Sequence, residues 1–209
     1  MVYTDSFSAI STKRNNLHSF SINFSIQDKN IYNKIFLIGV NMELWDLYTE
    51  DRELTGKEHI RGEELPENLY HLVVHVWIKN SKGEYLISQR SANRPAFPLM
   101  WECIGGSVLK GELSIDGAIR EAKEEGGVEL LPDNGKLIFS KIRKIINGKK
   151  FNDIVDVWLF EYDGDVVLNN ATTDEVEQTV WMKKSQILDL FEQKKLVDTL
   201  KYFFTEVDK

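Results

Sequence analysis

The sequence predicts an α/β domain, on three observations. Residues 71–78 (HLVVHVWI) form an apolar, β-branched run bounded by Asn80-Ser81-Lys82-Gly83, the signature of a strand entering a hairpin. Residues 114–126 carry acidic residues early and Gly126-Gly127 at the end, as a helix does. Further strand-like runs follow at 136–146, 153–162 and 178–182, and apolar residues at helical spacing close the chain.

The elements follow in order. Residues 42–48 read as a strand, 49–54 as a polar turn and 55–61 as a returning strand or loop. Residues 84–90 are the hairpin partner of 71–78. A loop with Pro95 and Pro98 spans 91–100, and a short strand over 101–104 ends in Gly105-Gly106. Ser114 is the expected N-cap of the central helix. Residues 184–192 and 194–206 read as one or two amphipathic helices.

Residues 1–41 differ from the rest. They are rich in Ser and Asn, lack a sustained apolar period, and hold Lys13, Arg14, Lys29 and Lys34 against Asp5 and Asp28. They are expected to be a poorly ordered or peripheral extension, with the domain over 42–209. Residues 38–42 (IGVNM) are compatible with a codon string that puts a purine-rich GGAG just before an ATG, which makes Met42 a candidate natural start.

A net charge of −7 argues against broad binding to nucleic acid or anionic membranes. The single cysteine, Cys103, forms no internal disulfide. No apolar run nears the roughly 18 residues of a membrane span, and the N-terminus lacks the pattern of a secretory signal. The expectation is a cytoplasmic protein.

The chemistry concentrates in residues 106–128. Glu121, Glu124 and Glu125 stand at i, i+3 and i+4, so a helix gathers three carboxylates on one face. Like charges at i, i+4 cost a few tenths of a kcal/mol, and the C-terminal end of the helix dipole disfavours anions. Arg120 can pair with Glu124 but cannot neutralise all three. A hard divalent cation, Mg²⁺ or Mn²⁺, suits such an all-oxygen donor set; a solvated acidic face is the plainer alternative.

The spacing Gly106, Glu112, Arg120-Glu121-Ala122, Glu124-Glu125, Gly127-Val128 resembles the Nudix box, Gly-x5-Glu-x7-Arg-Glu-U-x-Glu-Glu-x-Gly-U with U apolar. The resemblance runs from about residue 42 to the C-terminus and implies an α/β/α sandwich with a mixed central sheet. It implies hydrolysis of a nucleoside diphosphate linked to another group, with Mg²⁺ or Mn²⁺ as cofactor and a small-molecule diphosphate as partner. By position, Glu124 and Glu125 match metal ligands and Glu121 a ligand or general base. Glu112 and the Gly105 carbonyl match supports of the metal, and Arg120 the arginine that orients the glutamates. Some members place a general base near Glu175.

The residues Glu43-Leu44-Trp45-Asp46, Tyr70-His71, Gln89-Arg90-Ser91 and 98–102 (PLMWE) are similar to the isopentenyl-diphosphate-isomerase-like branch of that family. True isomerases carry Cys-Gly-His where this chain has Gly105-Gly106-Ser107, so isomerase chemistry lacks its thiol and a metal histidine. A Nudix module that binds a nucleotide without turnover is the other alternative; the intact carboxylate set opposes it. Arg90 is a candidate phosphate contact. His71 and His75, at i, i+4 on one strand face, are candidate substrate contacts or packed core residues. Cys103 is expected in the core.

Overall fold

The computed structural model describes residues 42–146 and 148–208. The reading of residues 1–41 as an extension lies outside them. Strands β1 (Leu44–Tyr48) and β2 (Leu54–Ile60) pair antiparallel, Trp45 opposite His59. Seven strands build a mixed sheet: β3 (His71–Lys79), β4 (Tyr85–Arg90), β5 (Trp101–Glu102), β6 (Ile104–Ser107), β7 (Gly135–Ile146), β8 (Lys149–Glu161) and β9 (Val176–Met182). The order β5-β4-β3-β8-β7 is joined by β6 on β3 and β9 on β4, and β3 runs parallel to β8.

The β3–β4 hairpin is a fork. The two strands are in register only at Lys79 and Tyr85. Beyond that point β6 takes the β3 side, with Gly105 opposite His75 and Ser107 opposite Val73. Strand β5 takes the β4 side, with Glu102 opposite Ser88. Cys103 is the joint between the two, so the turn of chain that leads into the box is fixed by two ladders at once.

Alternation along β3 divides the core. Val74, Val76 and Ile78 pack with Ile104 against Ala118 and Ala122 of helix α1 (Ser114–Gly126). Trp77 on the other face packs with Val155, Val157, Ile187 of helix α2 (Lys184–Glu192), Leu196 and Phe203. The Trp77 and Phe203 rings stack at 4.3 Å. Each such side chain contributes about 1.5–3 kcal/mol on burial. The layers are therefore helix, sheet and C-terminal elements, the expected α/β/α sandwich.

Two local expectations are corrected. Ser114 does not cap α1. Leu113 holds the cap position without a side-chain bond, while Ser114 Oγ donates to Asp156 at 2.5 Å and accepts from Trp158 Nε1 at 3.0 Å. A fully buried carboxylate is a stronger acceptor for that hydroxyl than backbone amides are donors to it. Residues 194–206 are not one helix: a 3-10 turn at Asp198–Leu200 precedes a single π turn at Phe203–Val207. The tighter 3-10 turn and the wider π turn let Leu200 and Phe203 both reach the core. Among the described residues, no helix is long and apolar enough to cross a membrane.

Candidate carboxylate site

Helix α1 buries positions 118, 121, 122 and 125, the i, i+3, i+4, i+7 stripe of an amphipathic helix. Two of those inward positions are Glu121 and Glu125. Both are more than nine-tenths buried, which an ordinary solvated acidic face is not. Gly106 makes room for one of them: a Cβ there would collide with the Glu121 carboxylate. Gly127, at φ +64°, ends the helix, with its N–H on Lys123 O and that of Val128 on Ala122 O.

Arg120 organises the cluster. Its Nε and Nη2 grip the two Glu112 oxygens at 2.9 and 3.1 Å. Its Nη1 reaches Glu121 at 2.8 Å and Glu124 at 2.9 Å, and Nη2 also donates to the Ser107 carbonyl at 2.8 Å. Sequence spacing anticipated only the Glu124 pair. Burial works against the guanidinium charge, yet these carboxylates raise its pKa. Glu112 is anchored in turn, accepting from the Leu109 amide at 2.9 Å.

Glu125 is left out of this grip. It accepts from the Gly105 amide at 3.3 Å. Burial, then the charges of Glu121 and Glu102, push its carboxyl well above the usual range. Burial pushes Glu121 up to about 7, against the pull of Arg120.

Glu175 comes from the segment immediately before β9. Thr172 and Thr173 donate to the Glu124 carbonyl at 3.0 and 3.3 Å, and Ser91 N donates to Glu175 O at 2.9 Å. These bonds hold the segment before β9 against the end of α1. The Glu175 charge helps raise both Glu121 and Glu125. Arg94 pairs with its carboxylate at 2.6 Å. Arg90 pairs with Glu102 and donates to Ala96 O at 2.9 Å.

The structure thus brings together Glu112, Arg120, Glu121, Glu124, Glu125, Gly105 and Glu175, with Arg90 at the edge. It sets His71 and His75 apart, on the opposite sheet face. His75 is buried and its Nδ1 lies 2.6 Å from Tyr202 Oη; burial drives its pKa well below the ordinary value. His71 stacks on Trp45. Sequence reading did not single out Glu102 or Arg94. The i, i+4 relation of Arg94 to Arg90 was the available signal, but across a loop that spacing has no meaning until the loop is folded. Cys103 is buried, and burial raises its thiol well above the usual value, so it is no ready nucleophile.

Among the described residues, no three His, Cys, Asp or Glu groups already stand in metal-binding geometry. The donor chemistry nevertheless fits a hard divalent cation. The donors are carboxylates and a backbone carbonyl, and Glu125 is buried among like charges without a cation of its own.

Comparison with known proteins gives the family. The family model described as NUDIX domain matches residues 69–205. The chain is 49% identical over 100 residues to an uncharacterized Nudix hydrolase of Listeria innocua, covering 47% of this chain and 59% of that one. A Listeria monocytogenes counterpart is 51% identical over 88 residues, covering 42% and 52%. The chain therefore spans little more than half the length of these curated relatives. An isopentenyl-diphosphate Δ-isomerase of Shigella boydii is 27% identical over 124 residues, covering 58% and 66%. A Deinococcus radiodurans crystal structure shares the fold, with TM-score 0.58 at 22% identity over 74% of this chain and 92% of that one. So does a Francisella tularensis bifunctional NMN adenylyltransferase/ADP ribose pyrophosphatase complexed with AMP and a Mn ion, with TM-score 0.50, 17% identity and coverage of 84% and 44%. With a match that spans most of the chain, and with isomerase likeness but no Cys-Gly-His, this protein belongs to the Nudix family and is not a true isomerase.

Proposed function

We propose that the protein is a divalent-metal-dependent hydrolase that cleaves the diphosphate linkage of a nucleoside diphosphate joined to another group. The observation that carries this is the convergence of the box residues. One arginine collects Glu112, Glu121 and Glu124, while Glu125 stays buried and uncompensated beside Gly105.

Glu112, Glu121, Glu124, Glu125 and the Gly105 carbonyl are the residues that would hold Mg²⁺ or Mn²⁺. When bound, such an ion neutralises phosphate charge and acidifies water. Arg120 keeps the carboxylates oriented and spaced, a role that touches no substrate. Glu121 is either one of these ligands or the group that accepts a proton from attacking water. Glu175 is the second carboxylate within the field of the cluster and the alternative proton acceptor. Arg90 can turn from Glu102 toward a phosphate oxygen. Two phosphorylated products result.

The Francisella neighbour makes ADP-ribose the first substrate to test. The assay is release of nucleoside monophosphate from ADP-ribose, nucleotide sugars and nucleoside triphosphates, and of phosphate from isoprenoid diphosphates, with Mg²⁺ or Mn²⁺. Glu124→Gln is expected to lose most turnover. No release from any of them, or a Glu124→Gln variant as active as the parent, overturns the proposal.

A further inference from the structure

The sheet face away from α1 holds a second polar group. The Trp45 and His71 rings stack at 4.0 Å, 12° from parallel, and each residue is 8% exposed. Trp45 Nε1 and His71 Nδ1 are buried with no hydrogen-bond partner among the described residues. An unpaired buried polar atom is costly, so two in one stack mark a place built to receive something.

The surroundings state its charge. Burial first, then the neighbouring Arg143, His59 and Arg61, lower His71 to about 4. The ring is therefore neutral at pH 7. Arg143 pairs with Asp153 at 2.7 and 2.8 Å, and Arg61 pairs with Glu43 at 2.6 Å. Indole Nε1 can only donate, and neutral imidazole Nδ1 can donate. Two N–H donors without a partner among the described residues match an oxyanion.

The place is on the other face of β3 from the carboxylate site, and two links join the two sides. Two residues beyond His71 on β3, Val73 lies opposite Ser107, whose carbonyl Arg120 holds. Arg61 lies within the field of Glu121 and Glu175. We infer that Trp45 and His71, rimmed by Arg61, form an anion subsite that takes a phosphate monoester carried by the substrate in addition to its diphosphate. This rests on the hydrolase reading above.

The test uses the full chain in two arms. In the first, melting is followed without divalent metal in millimolar sodium phosphate and in sodium chloride of equal ionic strength. In the second, kcat/KM with Mg²⁺ is compared for NADP⁺ and NAD⁺, which differ by one phosphate monoester. Trp45→Phe and His71→Phe keep the stack and remove a nitrogen. Arg61→Met changes only the rim, so it decides the matter if the buried variants do not fold. The expected result is a phosphate-specific rise in Tm, or a preference of about tenfold for NADP⁺ expressed in KM, that is lost in the variants. Absence of both responses in the parent overturns the subsite, as does a response that survives in every folded variant. A parent that cleaves neither dinucleotide, yet shows a phosphate shift lost in the variants, keeps the subsite and counts against the hydrolase.

Discussion

Arg120 holds Glu112 with two nitrogens, at 2.9 and 3.1 Å, across the loop that opens helix α1. The pair closes the box upon itself: its first glutamate, at the loop end, is fastened to the arginine from which Glu121, Glu124 and Glu125 follow. Arg120→Ala breaks this fastening and leaves three part-buried carboxylates without their cation. It is expected to destabilise by about 2–4 kcal/mol and to lower kcat more than it raises KM. Urea melting and steady-state kinetics measure the two effects separately. A variant as stable as the parent would show that the arginine is not what holds the loop.

Glu125→Gln has the opposite expectation. It removes a carboxyl whose ionisation burial and Glu121 oppose, so without metal it is expected to be as stable as the parent or more so. In the parent, Mg²⁺ at 100 times its dissociation constant is expected to stabilise by about 2.7 kcal/mol. The variant is expected to lose most of that. Equal Mg²⁺-induced shifts in Tm for both proteins would remove Glu125 from the ligand set.

The pH dependence of the metal-free protein has two opposed parts. Glu121 is raised to about 7, so the folded state binds its proton more tightly than the unfolded state. Stability from this group is present below about 4.5 and is lost as pH rises to about 7. His71 is lowered to about 4, so the unfolded state takes its proton first. Stability falls as pH drops from about 6.5 toward 4. Glu121→Gln is therefore expected to flatten the loss toward neutral pH, and His71→Phe the loss toward acid. Tm against pH for the three proteins, without divalent metal, checks both signs.

Asp156 is fully buried and takes both Arg52 Nη1, at 2.6 Å, and Nη2, together with Ser114 Oγ. It ties the β1–β2 turn and the start of α1 to β8. Asp156→Ala is expected to cost about 3 kcal/mol, at the low end for a broken buried pair because Arg52 keeps partial access to water. A denaturant melt measures it; a loss below about 1 kcal/mol would show the pair to be surface-like.

We propose that residues 1–41 are peripheral to the domain. A chain starting at Met42 is expected to stay soluble and to melt within a few degrees of the full chain, as measured by differential scanning fluorimetry. A large fall in Tm would make the segment part of the fold.

The ordering of strands and the central helix was legible in the sequence because it is local. Alternation in 71–78 and the i, i+3, i+4 spacing of Glu121, Glu124 and Glu125 are properties of one segment's own period. The box was legible for the same reason, since its residues lie on one loop and one helix. The misreadings fell where a distant group outcompeted a local one. Ser114 had the identity of an N-cap, but a buried Asp156 from β8 took its hydroxyl. Residues 194–206 had a helical period, but packing Leu200 and Phe203 beneath Trp77 favoured tighter and wider turns.

The tertiary structure alone decided which charges share the site. Glu175 is brought to the end of α1 by Thr172 and Thr173, and Glu102 by the fork of β3 and β4. It also decided that His71 and His75, which one strand face makes neighbours, lie on the side away from the carboxylates. Residue types and periods set what each segment can form and what chemistry it carries. Burial and charge pairing, which shift Glu121 up and His71 down, depend on segments far apart in the chain, so they exist only once the sheet has closed.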